Sequence, residues 1–66
     1  MFKEYDVIIA KKAIDNVPKG SKGAVLIVYE GGLHYEIEFV DTDGNSINIL
    51  TVSALDIEKW PGDTTN

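Results

Sequence analysis

The chain has 66 residues, with eleven acids, six lysines and no arginine, for a formal charge of −5. A chain this short makes one domain that buries only ~60% of its unfolded surface, which leaves no room for a deep catalytic cleft. The absence of cysteine excludes disulfide staples, cysteine metal sites and thiol nucleophiles.

In chain order, Tyr5-Asp6-Val7-Ile8-Ile9-Ala10 reads as a first strand, with Val7 and Ile9 expected inward and Ile8 partly covered. Met1 to Asp6 lacks a charged start leading into a long apolar run, so no secretory signal is expected and the setting reads as cytoplasmic. No apolar stretch approaches the ~20 residues needed to span a bilayer. Lys11 to Ser21 reads as a long loop, because its few apolar positions lack helical period and Pro18 would end a helix. Ile14 or Val17 is expected to tuck beneath the sheet. Gly20 and Gly23 punctuate the turn that follows. Gly23 opens the next strand, where a missing side chain lets neighbouring backbone pass close.

Gly23 to Tyr29 is an apolar, β-branched run that predicts a second strand with little water on either face. Gly31-Gly32 supplies the positive φ angles of a two-residue hairpin, after which Leu33 to Val40 alternates. Leu33, Tyr35, Ile37 and Phe39 share the expected core face, and His34, Glu36 and Glu38 share the wet one. Asp41-Thr42-Asp43-Gly44 is a second turn, and Ser46 to Thr51 a fourth strand with Ile47 and Ile49 inward. Val52 to Leu55 reads as one 3₁₀ turn. Asp56 to Trp60 is a last strand with Ile57 inward, stopped by Pro61.

Five short strands, a long first loop and a single 3₁₀ turn before the last strand predict an all-β, five-stranded SH3-like barrel over residues 1–61, with a disordered tail over 62–66. An oligonucleotide-binding barrel is the main alternative, but it normally has a helix between its third and fourth strands, and none is available here.

Charge is unevenly placed. Lys11, Lys12, Lys19 and Lys22 crowd the first loop around the lone acid Asp15, whereas Glu30, Glu36, Glu38, Asp41 and Asp43 follow with no lysine among them. Such a face suits a basic protein partner better than a phosphate backbone, or it simply keeps a small protein soluble. His34 is the only histidine and reads as a surface residue, with Glu36 expected beside it as a weak pH-sensitive pair. Glu36 and Glu38 stand ~7 Å apart, as strand neighbours do, which falls within the range of glycosidic acid–base pairs. Without a cleft to desolvate one of them, no enzyme is expected. Asp41 to Ser46 lacks the glycine and glutamate positions of a calcium loop, and Lys19 to Gly23 lacks the spacing of a phosphate loop. No metal or cofactor is expected. Trp60 is expected beside Tyr5, either as a binding spot or as a plug for the barrel's end.

Tyr5-Asp6-Val7-Ile8, the Gly20-x-x-Gly23 turn, Tyr35-Glu36-Ile37-Glu38-Phe39-Val40-Asp41, Asp43-Gly44 and Leu50-Thr51 before Asp56-Ile57 together resemble a family of very short bacterial proteins catalogued only as a domain of unknown function. The resemblance spans roughly Tyr5 to Trp60, and the pattern is broadly similar to SH3-like and KOW-type barrels. It implies a fold and a bacterial origin, and it carries over no activity and no functional residue. By analogy alone, small stand-alone proteins of this kind are sometimes partners of a neighbouring toxin.

The expected function is therefore a non-enzymatic protein-binding module, monomeric or weakly oligomeric, with Glu36, Glu38, Asp41, Asp43, Tyr29 and Trp60 as its contact residues. The antitoxin or immunity partner of a basic toxin is one such role. The alternative is a nucleic-acid-associated module working through the lysines of the first loop. A proline-peptide reader is a third reading, short of the clustered aromatics such a groove needs.

Overall fold

A computed structural model describes residues 1–62. The tail read as disordered lies outside the described residues, apart from Gly62. Strands β1 (Val7–Ala10), β2 (Lys22–Tyr29), β3 (His34–Val40), β4 (Ser46–Ser53) and β5 (Ile57–Lys59) form one antiparallel sheet in the order β4-β3-β2-β1-β5. β4 and β5 do not pair with each other, so the sheet is not closed. Single 3₁₀ turns cover Glu30–Gly32 and Ala54–Asp56, the second starting two residues and ending one residue later than the sequence suggests, because Val52 and Ser53 belong to β4.

The core is Ile8, Ala10, Val17, Val25, Tyr35, Ile37, Phe39, Val52 and Ile57. Alternation along β3 delivers Tyr35, Ile37 and Phe39 inward with no exposed surface, as expected. Val17 is wholly buried and Ile14 packs against the core, the two joined by paired backbone hydrogen bonds that tuck the long loop under the sheet. Gly23 passes so close to β3 that a Cβ there would lie 2.6 Å from Ile37 Cγ2 and 2.9 Å from Glu38 O.

Four expectations are corrected. In β1 the inward residues are Ile8 and Ala10, not Val7 and Ile9. Pairing sets the phase: Ile8 faces Gly23, and Gly23 faces the buried Phe39, so all three lie on the core side. Leu33 is 63% exposed, because the connection is not a two-residue turn. Glu30, Gly31 and Gly32 all take positive φ (52°, 65° and 103°), and Leu33 is still helical in backbone when His34 begins β3.

Ile49 is 51% exposed although Ile47 packs on the core. In a regular strand the two would share a face. A bulge, with Phe39 opposite Asn48 but Val40 opposite Ser46, leaves Ile47 as the extra residue and turns Ile49 outward beside Glu38. A second irregularity makes Leu26 the extra residue of β2. Beyond it Ile27 faces Glu36 on the outer surface and is 39% exposed, so β2 is not dry on both faces.

The last turn is tied at both ends. Ser53 Oγ accepts the Leu55 N–H at 3.1 Å, while Asp56 Oδ2 accepts the Ser53 N–H at 3.2 Å, a reciprocal capping box. Asp56 Oδ1 also lies 3.2 Å from Lys12 Nζ, and its carbonyl accepts the Lys11 N–H at 2.8 Å, which latches the long first loop to the turn before β5.

Candidate protein-docking face

The outer face of the sheet follows from the register. Tyr29 pairs with His34, Ile27 with Glu36 and Ala24 with Glu38 across β2–β3, while Glu36 pairs with Thr51 and Glu38 with Ile49 across β3–β4. Paired residues present their side chains on one face, so Glu36 and Glu38 stand in a plane with the exposed Ile27 and Ile49. Both carboxylates are half-buried rather than fully wet. No lysine lies within ion-pair distance of either among the described residues.

Tyr29 belongs to this face, opposite His34. Its hydroxyl donates to Glu36 Oε1 at 3.2 Å. Burial, the hydrogen bond to Glu36 and the negative charge of that carboxylate, in that order, push the phenol above its ordinary value of 10.0. The carboxylate expected beside His34 is a different one: Glu30 Oε1 sits 2.9 Å from His34 Nδ1, while Glu36 is turned to Tyr29. The Glu30 oxygen approaches Nδ1 without meeting the geometry of a hydrogen bond.

Asp41 and Asp43 lie in the β3–β4 turn. Asp41 Oδ1 accepts the N–H groups of Asp43 and Asn45, each at 2.9 Å, and Gly44 closes the turn at φ 86°. Asp41 therefore holds the turn, and Asp43 is an exposed charge on it.

Trp60 lines a different depression from Tyr5, one that includes the outer-face pair Lys22 and Val40. It walls a cleft of about 360 Å³ with Ile9, Lys22, Val40, Asp41 and Ile47, and Lys22 Nζ lies 3.8 Å from the centre of its ring. Tyr5 lines a different depression, formed by the N-terminal segment against Ile27 and Val28. Two of the four loop lysines are thus engaged, Lys12 with Asp56 and Lys22 with Trp60.

Sequence reasoning missed Ile27 and Ile49 as exposed apolar surface. The two isoleucines are turned outward downstream of bulges that no residue type announces. Tyr5 takes φ 70° through backbone hydrogen bonds made far along the chain. No group of three or more His, Cys, Asp or Glu side chains among the described residues is arranged to hold a metal ion. No helix among them is long and apolar enough to cross a membrane.

No curated protein and no solved structure matches the chain. The family of a domain of unknown function, DUF4926, matches residues 4–59, from just before β1 to the end of β5. With the whole sheet inside that match, the chain belongs to the DUF4926 family.

Proposed function

We propose that the protein is a non-enzymatic binding module that docks a basic protein surface on the outer face of β2, β3 and β4. One observation carries the reading: Glu36 and Glu38 stand half-buried between the exposed Ile27 and Ile49 with no lysine of the described residues within ion-pair distance. Carboxylates interleaved with exposed apolar side chains are what a cationic, partly apolar partner surface complements. Tyr29 orients Glu36, and Asp43 extends the negative field past the turn. The antitoxin or immunity partner of a basic toxin is a role that such a face suits. On this reading the protein works in a bacterial cytoplasm, a setting in keeping with its lack of cysteine.

The finer reading of the sheet is an SH3-like barrel. The strand order, the long first loop and the 3₁₀ turn before β5 support it. The nucleic-acid reading has less support, since Lys12 and Lys22 already have intramolecular partners.

Affinity capture from the source cell, with mass-spectrometric identification, tests the proposal. A basic protein should be retained at low salt, released as salt rises, and lost when Glu36→Lys and Glu38→Lys are combined. Capture that the double variant leaves unchanged, or retention of nucleic acid in place of protein, overturns it.

A further inference from the structure

Tyr5 holds a left-handed backbone, φ 70°, although it carries a bulky side chain. That conformation is strained for such a residue and persists only where the surroundings over-determine it. Here they do. The Tyr5 N–H donates to Val25 O at 2.7 Å. Asp6, buried behind it, accepts the Lys3 N–H on Oδ2 at 2.9 Å, donates its own N–H to Lys3 O at 3.1 Å, and accepts the Val25 N–H on its carbonyl at 3.0 Å. Yet the strain puts no ring into the core, since Tyr5 is 76% exposed.

The exposed ring stands in a shallow cleft of about 590 Å³ with Met1, Phe2, Lys3, Glu4 and Ile27. Met1 is 90% exposed and Ile27 is 39% exposed. Ile27 is also the cross-strand neighbour of Glu36, so the cleft opens directly onto the acidic face. Glu4 adds to the negative rim and Lys3 opposes it. A tyrosine that brings apolar area and few rotatable bonds is the residue type that anchors interfaces.

We propose that this cleft is the apolar anchor of the docking face and that its occupant is an extended cationic segment of a protein partner. One apolar side chain of that segment seats between Tyr5 and Ile27, and a Lys or Arg two positions on, which points to the same side of an extended segment, reaches Glu36. The next basic residue, two positions on and so ~7 Å away, reaches Glu38. The inference rests on the docking reading above.

Two synthetic peptides of equal charge test it, acetyl-Leu-Ser-Lys-Ser-Lys-amide and acetyl-Gly-Ser-Lys-Ser-Lys-amide, titrated into the ¹⁵N-labelled protein. The leucine peptide should shift the amides of Tyr5, Ile27 and Glu36 and bind at least about tenfold more tightly. Tyr5→Gly should abolish that advantage while leaving the urea midpoint unchanged or higher, because glycine relieves the strain. Ile27→Ser, which leaves the left-handed turn alone, should weaken the leucine peptide likewise. Equal binding of both peptides at Glu36 and Glu38, with Tyr5 unmoved, overturns the anchor and leaves the acidic face standing. Undiminished leucine-peptide binding by both variants also overturns the anchor. Failure of both peptides to bind at all counts against the docking reading itself and takes the anchor with it.

Discussion

The hydroxyl of Tyr35, at the end of a fully buried side chain, accepts a hydrogen bond from the Phe2 N–H at 3.1 Å. The two rings meet edge to face with centroids 5.3 Å apart. One core side chain thus fastens the N-terminal segment over the sheet. Tyr35→Phe removes the acceptor and should cost about 1–2 kcal/mol, since a partly buried N–H is left unpaired. Phe2→Ala should cost a comparable amount through the lost ring contact. Urea denaturation of the two single variants and the double variant should give a sum that is less than additive, because both act on one contact.

Gly23 and Gly20 are required for different reasons, and substitution separates them. A Cβ at Gly23 would meet Ile37 and the Glu38 carbonyl, so Gly23→Ala should cost about 1–3 kcal/mol, and Gly23→Asn more. Gly20 has φ 88° and open space around it. There Gly20→Ala should cost about 1–2 kcal/mol, and asparagine, which tolerates the left-handed region, should recover most of the loss. Chemical denaturation gives the ranking, and Asn worse than Ala at Gly20 would contradict the assignment.

Tyr29 offers a pH test. Its phenol holds its proton above the ordinary 10.0, through burial first and then through Glu36. A group with a raised folded-state value binds its proton more tightly when folded. Its contribution to stability is therefore complete below pH 10.0 and is lost as pH rises through the folded value. Ultraviolet titration should show a late transition that Tyr29→Phe removes, and Glu36→Gln should bring that transition down. An unchanged transition in Glu36→Gln would remove the carboxylate from the account.

β4 lies at the edge of the sheet, and the outward-facing Ile49 is exposed beside it. Asn48 covers part of that edge: its Oδ1 accepts the Ile49 N–H at 2.9 Å, and its Nδ2 donates to Asn16 Oδ1 at 3.0 Å. Asn48→Val removes both contacts and adds a β-branched side chain, which should raise self-association measured by sedimentation. A strictly monomeric variant at millimolar concentration would show that the side chain is not what guards the strand.

The sequence made β3 readable because every second residue from His34 to Glu38 is polar or charged, so only one phase puts Tyr35, Ile37 and Phe39 inside. β1 offers no such contrast: Val7-Ile8-Ile9-Ala10 is apolar on both faces, and the pairing of Ile8 with Gly23 decides the phase. β4 was misread because alternation counts residues evenly, and the bulge at Ile47 breaks the count. The acidic face was legible in part. Glu36 and Glu38 follow from period two, but the approach of Glu30 to His34 depends on three left-handed residues in a row. Glu30 among them is not a glycine, and composition gives no warning of it. Trp60 and Tyr5 were expected together, but they fall in separate depressions, because Trp60 turns toward Lys22 whereas Tyr5 faces Ile27.

β1 lies between β2 and β5, with the Trp60 N–H bonded to Val7 O and the Lys11 N–H to Asp56 O. The first strand of the fold therefore lacks one of its two neighbours until β5 has been made. A nascent copy would carry β1 with one bare flank until then, so its ordering waits on distant partners rather than on local ones.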